Sequence, residues 1–254
     1  MYIVAIDNLG EDREGIARAL SEALGTTLYD ALVRVRVSGK GPLIVAAYGE
    51  ENTARERAKK LGAAGFRTFV LGQDEVETDE MRIIVRKFLF SDSELEIEAR
   101  TGDTMKIEYA RIDIIIRGTR IMQNTETETV KDRKFSAGRA ILSGGLMTTK
   151  SVKITQQSTT EVREGFIHLY PGNRHPIVLL ESALLYDSLG PALQPIRAAN
   201  FAFILAELRR RCPGAVYDDR LVSKAGQSRL LGSMFEPERH LDIAVSLLSR
   251  SLRS

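Results

Sequence analysis

The residues of this chain that could do chemistry are few and scattered. Its three histidines, His168, His175 and His240, include no pair at the i,i+4 spacing that puts two imidazoles on one helix face for a metal ion. His168 alternates with Phe166 and Tyr170, which makes it a strand residue rather than a ligand. Cys212 is the only cysteine, so no intrachain disulfide or thiolate cluster can form. It follows Arg209, Arg210 and Arg211, which lower a thiol pKa, but it closes a helix, whose C-terminal dipole acts the other way. An inert thiol is expected. Gly39-Lys40 falls short of a phosphate-binding loop: Arg34 stands where the first glycine belongs, and Gly41 where a Ser or Thr must follow the lysine. Asp218-Asp219-Arg220 is the densest acidic pair beside a base. It has no visible catalytic partner, and a local salt bridge is the expectation. No nucleophile-elbow serine and no dinucleotide fingerprint occur, so no catalytic residue, metal or cofactor is expected.

One cationic group stands apart. Lys131, Arg133, Lys134, Arg139, Lys150 and Lys153 surround an apolar, glycine-bearing stretch from Phe135 to Met147. As a functional set they would form a rim for a phosphate, an acidic partner or a membrane surface. As a plain surface they would be a solvated loop and strand edge.

Composition narrows the partners. A net charge of +2 supplies no global field for nucleic acid or membrane. From Lys131 onward there are 18 Lys/Arg against 11 Asp/Glu, so the surplus of positive charge sits in the second half. Trp is absent and aromatics make up 6%, a poor basis for stacking single-stranded bases, and no nucleic-acid partner is expected. The start, Met1 to Asp7, lacks the basic region of a signal peptide, and no apolar run reaches the length that spans a bilayer. A cytoplasmic location is expected. A hydrophobic fraction of 43% is that of a chain with a buried core.

The elements that must position these residues begin with a strand at Tyr2–Ile6. Asp12–Leu24 carries Ile16, Ala19, Leu20, Ala23 and Leu24 at helical spacing, and Gly25 ends it. Thr26 or Thr27 caps the next helix, with Asp30 in the place of a capping-box acid; its apolar face is Leu28, Ala31, Leu32 and Val35. A turn at Ser38–Pro42, a strand at Leu43–Ala47, a helix at Glu51–Ala64 and a strand at Arg67–Leu71 complete the order β-α-α-β-α-β. Through Arg18, Ala19, Gly25, Leu28, Asp30, Ala31 and Ala64-Gly65, residues 1–72 resemble the C-terminal domain of the ribosomal stalk protein and the fold of the Clp protease adaptor. The resemblance implies a protein-docking module working through its paired helices. Arg18 keeps a family charge there, while Ser21 and Leu32 replace basic residues.

Residues 73–80 hold five acids and read as a solvated linker. Residues 81–213 read as seven strands, Arg82–Phe90, Glu94–Ala99, Lys106–Arg117, Arg120–Lys131, Thr149–Gln157, Glu161–Tyr170 and Pro176–Tyr186, with Gly118-Thr119 among the turns. Ile112, Ile114 and Ile116 share one strand face. A helix follows, opened by Gln194-Pro195 and closed by Cys212-Pro213-Gly214, with Phe201, Ile204, Leu205 and Leu208 inward. This order resembles an antiparallel pleckstrin-homology-like barrel capped by a helix. The loop where that family binds lipid phosphates is Phe90–Glu94 here, with two acids and no base, so no head group is expected at it; Arg86 and Lys87 before it should point to opposite faces. Residues 214–254 form an extension: a polar, turn-rich stretch at Tyr217–Ser233, then a helix from Pro237 with Leu241, Ala244, Val245, Leu248 and Leu252 in register. The fold class expected is α+β. The function expected is non-catalytic: a binding or adaptor protein that docks an unknown protein partner. The alternative is an enzyme whose site lies between domains.

Overall fold

The computed structural model describes residues 1–7, 9–37, 41–135, 149–172 and 174–253, with the backbone alone at 36–37 and 122–161. The chain is α+β, as expected, with a three-stranded and a seven-stranded sheet. It opens with β1 (Tyr2–Asp7), α1 (Arg13–Leu24), α2 (Leu28–Val37), β2 (Leu43–Tyr48), α3 (Glu51–Ala63) and β3 (Arg67–Gly72). Local chemistry sets these boundaries. Asp12 accepts the Gly15 N–H at 2.9 Å and starts α1, and Gly25, at φ 68°, ends it in the left-handed region open to glycine. Thr27 is the cap of α2: its hydroxyl accepts from Asp30 N at 3.1 Å and donates to the Asp30 carboxylate at 2.7 Å. The strands pair antiparallel in the order β2-β1-β3. Val4, Ile6 and Val45 pack one face of this sheet against Leu20, Ala31, Val35 and Leu61 of the helices.

The larger sheet comprises β4 (Ile83–Phe90), β5 (Glu94–Ala99), β6 (Thr104–Glu108), β7 (Ile112–Phe135), β8 (Thr149–Pro171), β9 (Ile177–Leu180) and β10 (Val216–Leu221). Its order is β10-β7-β8-β9-β4-β5-β6, with β10 and β6 as separate edges, so the expected barrel is not closed. Two of its pairs, β10 with β7 and β4 with β9, are parallel. The expected strand from Lys106 to Arg117 is broken by a helical turn at Tyr109–Arg111. Gly118-Thr119 makes no turn; β7 runs through it. The two strands expected within 149–170 are one, and the strand expected at Pro176–Tyr186 shortens to Ile177–Leu180.

Gly118 has another purpose. A Cβ there would fall well inside contact distance of the Phe166 ring, and Phe166 is buried on β8. The ring needs the space a side chain would take. Gly118→Ala should destabilise the protein by about 1–3 kcal/mol or more, because a packed core yields little to overfilling. Denaturant unfolding measures this; a change below about 0.5 kcal/mol, the scale of ordinary surface substitutions, would mean that the ring moves freely.

Helix α4 (Arg197–Arg211) buries Phe201, Ile204, Leu205 and Leu208, as its spacing predicts. Its first helical residue is Arg197, two past Pro195, and Asn200 holds the entry by bonding both Gln194 N (2.6 Å) and Gln194 O (2.9 Å). It covers the face of the large sheet that carries Ile115, Ile167, Leu169 and Leu179. Ile112 joins this core, while Ile114 and Ile116 face the opposite one, so the three isoleucines do not share a side.

The polar stretch after α4 is not a loop. It forms β10 and α5 (Lys224–Leu231), which Ser223 caps by accepting from Gly226 N at 3.1 Å. The last helix, α6 (Pro237–Arg253), is buried along most of its length. One core joins its Ile243, Ala244, Leu247 and Leu248 to Ile3, Phe69 and Leu71 of the small sheet and to Ile114, Phe166 and Leu180 of the large one. A helix apolar on more than one side must be covered on more than one side. Residues 73–80, expected as a solvated linker, instead carry two short helical turns, Gln73–Glu75 and Asp79–Met81, strapped to α6. Glu77 N donates to Ser246 Oγ at 2.9 Å, Glu75 pairs with Arg250 at 3.2 Å, and Arg82 with Asp242 at 2.6 Å.

By compactness the described chain forms two units, one of residues 1–120 with 164–254, the other of residues 121–163. The second consists of the arms of β7 and β8. No helix among the described residues is long and apolar enough to cross a membrane.

Candidate functional site

The paired helices α1 and α2 are held to each other and to the small sheet by long side chains. Arg13 donates to Val35 O at 2.8 Å, and Arg34 to Val45 O on β2. Ala31 and Val35 turn inward, as their spacing predicts, and Leu32 is partly buried. Leu28, expected on the apolar face, is 43% exposed. Tyr29 is 74% exposed and Val33, one helical turn on, 40%. One helix thus carries three large apolar side chains in water, although its inner face has already covered the sheet. Arg18 is exposed and 3.7 Å from Glu14.

A second feature is a cavity of about 720 Å³ where β1, β3, β10, α5 and α6 meet. Asp7 ends β1 at its floor, nearly buried, and accepts a hydrogen bond from Ser251 Oγ of α6. Arg67, the first residue of β3, lies 3.9 Å from Asp7 and donates to Ser251 O at 3.0 Å. Arg220 spans from Asp218 (2.7 Å) to Gly41 O. The local salt bridge expected within Asp218-Asp219-Arg220 is therefore present, between Asp218 and Arg220. Asp219 instead lines the cavity, with Arg229 from α5. Nothing in the sequence marks this site, because Asp7, Arg67 and Arg220 are far apart in the chain and meet only through the packing of α6.

The histidines lie elsewhere. His168 is fully buried; burial, with Arg82 nearby, holds its pKa well below the ordinary value and keeps the ring neutral. It belongs to a polar seam between β8 and α6 in which the Tyr170 hydroxyl donates to Glu77 at 2.9 Å and Ser249 donates to the same carboxylate at 3.2 Å. His175 is exposed, with Nδ1 3.1 Å from Met81 O, and His240 contacts Glu236, the residue just before its own helix. No metal-ligating group of three or more occurs among the described residues. Cys212 is buried, and burial pushes its thiol up to about 11 against the pull of Arg211.

Of the cationic set, Lys131, Arg133 and Lys134 fall on β7 and Lys150 and Lys153 on β8, all within the unit 121–163. Arg139 and the stretch 136–147 lie outside the described residues, as does Gly39-Lys40. No family model, no curated protein and no solved structure matches the chain.

Proposed function

We propose that the protein is a non-catalytic binding protein, cytoplasmic, that docks a protein partner on the outer face of α2. The observation that carries this reading is the exposure of Tyr29 together with Leu28 and Val33 on a helix that has already buried its other face. Exposed aromatic and aliphatic side chains in one patch are what a partner covers, and tyrosine is among the residues that concentrate binding energy once water is excluded. The balanced net charge gives no reason to invoke nucleic acid as the partner. Affinity capture from the native cell tests this, with the wild-type chain compared with Tyr29→Glu and Val33→Glu. Partners recovered by the wild type should be lost from both variants, whose melting temperatures should match the wild type because these sites bear little of the core. The same partners recovered by all three proteins would refute the docking face. A wild-type dimer in sedimentation that Tyr29→Glu converts to monomer would reassign the patch to self-association.

A second reading, an enzyme with its site in the large cavity, is favoured by one observation: Asp7, Arg67, Asp219, Arg220 and Arg229 converge there. Such convergence at a junction of elements is common in ligand sites. Against it, both Asp7 and Arg220 are already held by neighbouring groups, and no imidazole lines the cavity.

A further inference from the structure

The register between β4 and β5 slips at Arg86. Val85 pairs with Ala99 and Lys87 with Glu98, so Arg86 is the extra residue of a bulge. Bulges re-aim side chains. Here Arg86 and Lys87, consecutive and expected on opposite faces, are both exposed and both reach Glu98, at 3.3 and 2.9 Å. Arg100 follows the end of β5 and is tied beside Arg86, its N–H donating to Ile84 O at 2.8 Å. Arg120 enters from β7. It is oriented by Glu164, a buried carboxylate that also accepts from Ser182 N at 3.0 Å and from Ser182 Oγ. Burial alone would raise the pKa of Glu164, but those bonds and Arg120 hold it below the ordinary range.

The three guanidiniums line one pocket of about 470 Å³, with Leu180, Ser182 and Ala183 as its remaining walls and no carboxylate among them. Glu98 and Glu164 offset two of the charges. The Arg100 guanidinium has no hydrogen bond or ion pair among the described residues, so one cation is uncompensated, and like charges crowded into one depression raise its potential. Guanidinium forks match phosphate oxygens in geometry and charge, and donors arriving from three strands suit a tetrahedral anion better than a planar carboxylate, which one fork satisfies.

We propose that the pocket formed by Arg86, Arg100 and Arg120 binds a phosphate-type oxyanion, with room beside Leu180 and Ala183 for the organic part of a phosphate ester. The group could belong to a soluble ester or to a lipid head group, since the chemistry recognised is the same. The site is separate from the acidic Phe90–Glu94 loop and from α2.

Calorimetric titration of the full chain with inorganic phosphate tests the proposal, with acetate as the planar comparison. Arg100→Gln is the informative variant, because the Arg100 side chain supports no other residue among those described, and the bond from its backbone N–H to Ile84 O is kept. Arg111→Gln, outside the pocket, is the control. Phosphate should bind wild type and Arg111→Gln alike, acetate should bind weakly, and Arg100→Gln should weaken phosphate about tenfold, the scale of one charge-assisted contact. Equal phosphate affinity in wild type and Arg100→Gln, or no binding to wild type at millimolar phosphate, would overturn it. Co-sedimentation with phosphatidylcholine vesicles, with and without phosphatidic acid, separates the sources. Binding that needs phosphatidic acid and Arg100 identifies a head group; phosphate binding without vesicle binding identifies a soluble ester.

Discussion

Phe201→Ala should cost the protein about 3–5 kcal/mol, the usual loss when a buried phenylalanine is truncated. Phe201 is 5% exposed and sits among Ile204, Leu205, Ile167 and Leu179, where α4 meets the large sheet. Its ring lies over Gly165 of β8, where an added Cβ would stand 3.0 Å from Phe201 Cε1. A flat strand surface on one side and a packed helix on the other leave little freedom to collapse into the space, so the cavity term adds to the lost burial. Equilibrium unfolding in denaturant should show a lower midpoint with an unchanged slope. A loss below about 1 kcal/mol would mean that α4 rides loosely on the sheet, since cavities in firm cores cost more.

This helix was legible in the sequence because its signals are local: a stripe of four apolar residues, and three arginines in the last turn. The first β-α-α-β-α-β run was legible for the same reason, through Thr27 with Asp30 and the stop at Gly25. What was not legible depends on contacts between distant residues. Alternation marks Ile114 and Ile116 as a pair but cannot say which strand lies beside them, so the α+β class was legible and the open order of the seven strands, in place of a helix-capped barrel, was not. Gly118 looks like a turn in sequence; only the position of Phe166, 48 residues away, shows that it is a gap left for a ring. The stretch from Tyr217 looks like loop because Asp218, Asp219 and Arg220 are polar, yet Asp218 and Arg220 neutralise each other on an edge strand. The sites were hidden in the same way. Leu28 fits the inner stripe of α2 but lies outside the sheet it was expected to cover. The pocket of Arg86, Arg100 and Arg120 depends on a one-residue bulge, which no local pattern announces.

The final helix supplies the sharpest test of how the fold is held. Leu241, Ala244, Val245, Leu248 and Leu252 define a single stripe, and a helix with one stripe would lie on one surface. The structure buries Leu247 as fully as Leu248, although neighbouring residues point about 100° apart around a helix. Ile243 and Ala244 show the same doubling one turn earlier, and the serines between, Ser246 and Ser249, are buried with their hydroxyls bonded inside the seam. Helix α6 therefore lies in a core shared by the small sheet, the large sheet and α5. Leu247→Ala and Leu248→Ala should each cost about 2–5 kcal/mol, the range for a leucine removed from a firm core. For a helix on a surface, one of the two would fall within about 0.5 kcal/mol of wild type. The losses should also appear in one cooperative transition, with fluorescence of tyrosines in both sheets changing together, because the helix leaves no part of that core independent of it. Separate transitions for the small sheet and the large sheet, or one leucine that can be removed at no cost, would show that α6 belongs to one sheet alone.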